Sequence, residues 1–213
     1  YSLGESLAGE MLSKCEYPWE ALPKIKDLIL ELGPKLSEDE YEYKGDNVWI
    51  AKTAKIYPNN YIAGPTIIGP ETEVRPGAFI RGNVIAGNNV VMGNSCEYKN
   101  CILFDNVQTP HYNYIGDSIL GYKAHTGAAS LTSNVKSDKQ HVVIHFEDEN
   151  VDTGRKKVGA MIGDYAEIGC GAVLNPGTII GRNTNVYPLT SVRGAISADS
   201  IVKSTAEIVA KRK

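Results

Sequence analysis

A parallel β-helix, an all-β stack of short strands, is the fold this sequence predicts, and three observations predict it. The first is a period of six. Counting from Ile50, successive hexads open on Ile50, Ile56, Ile62, Ile68, Val74, Ile80, Ala86, Met92 and Tyr98, and the phase returns as Ile162, Ile168, Leu174, Ile180, Val186 and Val192. The second is a companion position four places on, mostly small or β-branched: Ala54, Asn60, Thr66, Thr72, Ala78, Val84, Val90, Cys96 and Ile102, then Ala166, Ala172, Thr178, Thr184, Thr190 and Ile196. The third is the Gly, Pro and Asn between them, as in IGPET, VRPGA and LNPGT, where the chain must turn after each strand. First-position side chains then pile up inside the helix and the companions pack near its corners. A β-sandwich would instead alternate with period two at uneven spacing.

Residues 1–43 stand outside this frame. Leu7, Met11 and Leu12, then Ile25, Leu28, Ile29, Leu30 and Leu32, recur at helical spacing, with Gly33-Pro34 as a stop. They predict two short helices that cap the open first coil, whose strand edges would otherwise be unpaired. A partner-binding arm is the alternative. Residues 44–213 form the β-helix domain, broken near 104–114 and 133–161. The first break carries the one Pro-His pair of the chain, in CILFDNVQTPHYNYIGDSILG; the second is charged and holds a hairpin candidate, HVVIHFED. Both leave the hexad frame and are therefore expected to project sideways, and loops on a rigid scaffold are where chemistry is usually placed.

Composition narrows the function classes. With 22 Lys and Arg against 25 Asp and Glu, the net charge of −3 favours neither nucleic acid nor an anionic membrane as partner. Apolar runs are too short to span a bilayer, and the start lacks a signal-peptide layout. Cys15, Cys96, Cys101 and Cys170 have no CxxC spacing, in a chain large enough to need no disulfide staples. A soluble protein of the reducing cytoplasm, without structural zinc, is the expectation.

Three segments carry a resemblance. NSCEYKN (94–100), PHYNYIGDS (110–118) and HTGAASLTSN (125–134) resemble, in order and spacing, the acetyltransferase half of the bifunctional enzymes that make UDP-N-acetylglucosamine. The resemblance covers roughly residues 60–195; nothing here resembles the nucleotidyltransferase half. It implies a left-handed β-helix, acetyl-CoA as co-substrate with no tightly bound cofactor, and glucosamine 1-phosphate or a close relative as acceptor. It also implies a homotrimer with shared sites, for which Val90, Met92 and Tyr98 are expected to supply apolar surface.

Residue by residue, the resemblance makes His111 the general base, since a protonated amine cannot attack a thioester, and Glu97 the group that holds the second ring nitrogen. Arg81 and Lys99 fall where the sugar phosphate binds, a forked guanidinium and a point charge suited to a dianion. Tyr114 and Asn134 match sugar-contacting positions, and His125 stands where the family has a substrate-holding Asn. Ala128, Cys170 and Pro188 take the places that line acetyl-CoA, with backbone amides near Ala128 suited to a tetrahedral oxyanion. The departures at His125, Ala129 and Val135 leave a related acceptor such as galactosamine 1-phosphate open.

Two other classes remain. A metalloenzyme like the γ-class carbonic anhydrases would use His ligands, and His141 and His145 share one face of an extended strand. They fall in the charged insertion without that family's ligand spacing, so no metal site is expected. A non-catalytic assembly or sensing module is the second; the departures favour it, and joint retention of Glu97, Lys99, His111 and Tyr114 argues against it.

Overall fold

A computed structural model describes residues 1–146, 148–204 and 207–210. It is a left-handed parallel β-helix whose short strands pair coil upon coil. Three inward rows run along it. On face one Ile50, Ile68, Ala86, Leu103, Leu120, Ile162, Ile180 and Ile196 lie in register, so Ile196, a companion in the hexad count, stands in the inward row because the chain takes four residues rather than six from Val192. Face two stacks Ile56, Val74, Met92, Thr109, then Thr126, Ile168, Val186 and Val202. Face three stacks Ile62, Ile80, Tyr98, Ile115, Thr132, Leu174 and Val192. The companion residues Thr72, Ala78, Val84, Val90 and Cys96 are buried beside them.

These rows correct the reading of residues 104–114 as a projecting loop. The coil continues through them: Gln108–His111 pairs in parallel with the strand Val91–Asn94. What changes is the step. From Tyr98 to Leu103, and again from Ile115 to Leu120, five residues separate inward positions instead of six, so Cys101 takes the companion place and Ile102 points outward. The contraction lies at one corner. An 18-residue coil turns there with Gly82 and Asn83 both in the left-handed region, φ 90° and 54°; the shortened coils use Asn100 or Asp117 alone, φ 51° and 48°. Asn and Asp tolerate that conformation better than other non-glycine residues. Because the corner is tight, Glu97–Leu103 and Tyr114–Leu120 run as seven-residue strands from face three onto face one.

Face one is apolar on its outer side too: Ile67, Ile85, Ile102, Ile119 and Met161 are buried. The segments Pro18–Lys24 and Ile25–Leu32 cover it, packing on the strands of that face through buried Trp19, Leu22, Ile25 and Ile29. The helical extension therefore lies along a face. At the first coil it is the antiparallel strand Tyr41–Tyr43 that meets the edge of Val48–Ala51. No described helix is long and apolar enough to cross a membrane.

The break at 133–161 is a true insertion, spanning 42 residues between register partners such as Ile119 and Met161. It holds the expected antiparallel hairpin, Val143–His145 with Asn150–Asp152, but folds back on the solenoid. Val142 and Ile144 are buried against Gly177, where a Cβ would sit 2.6 Å from Val142 Cγ1 and φ is +79°.

Val90, Met92 and Tyr98, expected to face a partner, are wholly buried in the chain's own core. Tyr98 is the largest of these. Its hydroxyl accepts from the Gly93 amide at 3.0 Å and meets Thr109 Oγ1 at 2.5 Å, and burial drives its pKa well above that of a free phenol. Tyr98→Phe strands the Gly93 donor and should cost about 1–3 kcal/mol, read as a lower urea midpoint with unchanged slope; an unchanged midpoint would show the hydroxyl contributes nothing.

Candidate active site

The corner between faces two and three aligns four of the expected residues. His111 pairs in register with Asn94, and Ala128, Cys170 and Pro188 follow in the coils above, since Gln108, His125, Glu167 and Asn185 stack three positions before each of them. The turns repeat one hydrogen bond. The carbonyls of Asn94, His111, Ala128 and Cys170 accept from the amides of Tyr112, Ala129, Gly171 and Leu189, at 2.8–3.0 Å. Those four donors all have positive φ, 53–67°. A column of left-handed residues thus turns each coil identically, and Ala129 adopts the conformation a glycine would favour. Its amide is committed to His111, whereas among the described residues the Ala128 amide has no acceptor. His111, Cys170 and Pro188 are exposed along this row.

Face three, next around the coil, carries the polar set. Arg81, Glu97, Lys99 and Tyr114 alternate outward from the inward Ile80, Tyr98 and Ile115, as strand geometry requires. Arg81 Nη1 donates to Glu97 Oε1 at 2.6 Å, and that bond, with the Glu97 charge, raises the guanidinium pKa. The structure thus joins Glu97 to Arg81; it shows no bond between Glu97 and His111. The His111 backbone amide donates to Asn113 Oδ1 at 3.2 Å, while no described group bonds its ring. Asn113 is itself buried, its amide held by Gly127 and Ser130, so the backbone beside His111 is firmly placed.

The far edge of face three holds a residue that sequence reasoning missed. Asp117 is buried at the shortened corner, and three donors surround its carboxylate: Asn134 Nδ2 at 2.6 Å, Asn100 Nδ2 at 2.9 Å and Lys99 Nζ at 3.4 Å. Asn134 Nδ2 also reaches Tyr114 Oη at 3.1 Å, and burial, then the charges of Asp117 and Glu97, raise the pKa of that phenol. The signal was present. Asn83, Asn100, Asp117 and Asn134 recur at a spacing of 17, a period that a hexad frame passes over.

Other expected residues stand elsewhere. His125 is on face two, with Nδ1 2.8 Å from Glu167 Oε2, away from Arg81 and Lys99. His141 lies 3.5 Å from Asp152 and His145 bonds Asn150 at 2.6 Å, both within the hairpin. Among the described residues no group of three or more His, Cys, Asp or Glu is placed to hold a metal ion. Cys96 and Cys101 are buried, and burial pushes both thiols up; Cys170 is exposed.

Comparison with known proteins finds similarity to sugar-1-phosphate nucleotidyltransferase/acetyltransferases. A family model described as the GMPPB C-terminal domain matches residues 62–152. The chain is 34% identical over 200 residues to the bifunctional protein GlmU of Methanococcus maripaludis strain C5, covering 92% of this chain and 48% of that one. It is 32% identical over 175 residues to a bifunctional sugar-1-phosphate nucleotidylyltransferase/acetyltransferase of Sulfurisphaera tokodaii, covering 80% and 43%. The chain therefore spans about half the length of the curated relatives it matches. Among solved structures, a hexapeptide transferase family protein from Anaplasma phagocytophilum is similar at a TM-score of 0.45 and 15% identity, over 78% of this chain and 81% of that one.

Asp117→Ala would leave the Asn100 amide and Lys99 without their acceptor and the Asn134 amide with Tyr114 Oη alone. Removing one partner of such a buried charged cluster should cost about 3–5 kcal/mol, measured by chemical denaturation. A loss below that of an ordinary surface substitution would mean the cluster does not hold the corner.

Proposed function

We propose that this chain, similar over most of its length to part of the bifunctional sugar-1-phosphate nucleotidyltransferase/acetyltransferases, is an acetyl-CoA-dependent N-acetyltransferase acting on an amino-sugar 1-phosphate, glucosamine 1-phosphate or a close relative. The alignment of exposed His111 with Ala128, Cys170 and Pro188 along one corner carries this reading. Acetyl-CoA lies along the row with its thioester at the His111 end. The acceptor lies across face three, its phosphate on Arg81 and Lys99 and its ring near Tyr114 and Asn134.

His111 takes a proton from the attacking amine. The nitrogen bonds the acetyl carbon, the Ala128 amide steadies the oxyanion, and the carbon–sulfur bond breaks to release CoA, whose thiolate is protonated. Transfer is direct, and Cys170 acts as a wall rather than a nucleophile. A phosphate dianion competes with Glu97 for Arg81; the freed carboxylate then turns to the imidazole. His125 on face two meets such an acceptor from a neighbouring copy, which fits a homotrimer with shared sites. Exposed Tyr61, Phe79, Tyr112 and Leu189 supply apolar contact surface for it.

A second reading, a non-catalytic assembly module, draws on the engagement of Glu97 with Arg81, which leaves the His111 ring without a partner among the described residues. Release of CoA thiol on a panel of amino-sugar 1-phosphates separates the two. His111→Ala should lower kcat by about two to four orders of magnitude with folding intact, and Arg81→Ala should raise the acceptor KM more than that for acetyl-CoA. Wild-type turnover without His111 removes it from the mechanism, and no turnover on any acceptor favours the module.

Cysteine chemistry checks the acetyl-CoA row independently. In the native protein Cys170 should alkylate readily while Cys96 and Cys101 stay protected, and acetyl-CoA should slow alkylation of Cys170. Equal rates with and without acetyl-CoA would place the cofactor elsewhere. Sedimentation at micromolar concentration should give a trimer; an active monomer would sink the shared site.

A further inference from the structure

At the opposite edge of face three from His111 lies a cleft of about 540 Å³. Three pieces of the chain, far apart in sequence, line it. The helix Ile25–Leu32 contributes Lys26, the shortened corner contributes Lys99 and Asp117, and the returning arm of the insertion contributes Arg155, Lys156 and Lys157. Five cations thus face one carboxylate, in a chain whose net charge is −3. That carboxylate is already satisfied by Asn100, Asn134 and Lys99. Among the described residues, Lys26, Arg155, Lys156 and Lys157 have no ion-pair partner.

Arg155 is the telling member. Its backbone is set by a polar turn in which the Gly154 amide donates to Asp152 Oδ1 at 2.8 Å and the Arg155 amide to Thr153 Oγ1 at 3.2 Å. Its Nε is buried and, among the described residues, has no hydrogen-bond partner. Buried donors are rarely left unmade, and like charges gathered from three elements repel one another unless an anion sits among them. A guanidinium fork surrounded by ammonium point charges matches a phosphoryl group, which offers several oxygens in a tetrahedron, better than a single carboxylate.

We propose that this cleft binds a phosphoryl anion, with room and charge for a diphosphate, held by Lys26, Arg155 and Lys156 with Lys99 at its border. Two sources share that chemistry. The anion belongs to the acceptor itself, as the diphosphate of a nucleotide-linked amino sugar reaching across face three, or to a separate phosphorylated metabolite that ties the helical segment to the insertion. Binding as such does not depend on the acetyltransferase reading.

Titration calorimetry with pyrophosphate tests it on the intact chain. Wild type should bind with an affinity that falls as salt rises, and Lys26→Gln, Arg155→Gln and Lys156→Gln should each weaken binding about three- to tenfold. Lys26 is exposed, so its variant should keep the wild-type urea midpoint and remains informative if Arg155→Gln folds poorly. Transfer assays then separate the sources. Variants that raise KM for a nucleoside-diphosphate-linked amino sugar and leave that for the 1-phosphate unchanged identify the acceptor; pyrophosphate binding that persists at saturating acceptor identifies a separate metabolite. No pyrophosphate binding by wild type, or equal binding by wild type, Lys26→Gln and Arg155→Gln, overturns the proposal.

Discussion

Each coil of the solenoid takes its register from the coil beneath it, through parallel backbone pairing, and every side chain of the site inherits its place from that constraint. A coil cannot slip by one residue along a face without turning its inward row outward. Length changes are therefore confined to corners. Both one-residue contractions fall at the same corner, so the inward rows on either side stay in line from Ala86 through Leu103 and Leu120 to Ile162. The 42-residue spacing across the insertion obeys the same rule, since pairing resumes on all three faces with one common offset.

The two corners flanking face three then differ in kind. At the His111 corner the repeated carbonyl-to-amide bond aligns one residue per coil and leaves the row open to solvent. At the other, the contraction brings Asn100, Asp117 and Asn134 close enough for side chains to bond directly. A buried, fully donated carboxylate is costly to disturb and makes that edge stiff. The Arg81–Glu97 pair between them is partly exposed, and such pairs are worth little. Face three thus combines a rigid frame with one ion pair that a ligand anion can open at small cost.

The outer side of face one explains the helical segment. A row of buried isoleucines on both sides of one strand layer cannot face water, and Trp19, Leu22, Ile25 and Ile29 cover it. Covering that face also brings Lys26 to the shortened corner, where the insertion returns with Arg155. Two pieces outside the repeat, far apart in sequence, meet at one place because the solenoid holds both docking surfaces in fixed relation.

The sequence by itself determined the coil, the inward rows as far as Tyr98 and again from Ile162 to Val192, and the hairpin in the insertion, because hexad periodicity and turn residues are local properties of the chain. It also brought His111, Ala128, Cys170 and Pro188 under suspicion, and the structure stacks them at one corner. Only the tertiary structure decided that residues 104–114 remain in the stack, that Glu97 bonds Arg81, that Asp117 organises a corner, and that the helices lie along a face. Each of these rests on partners 16 or more residues apart, brought together by coil pairing or by burial of an outer surface. A single missing residue at a tight corner shifts the phase of everything after it, and only the neighbouring coil shows that the register was kept.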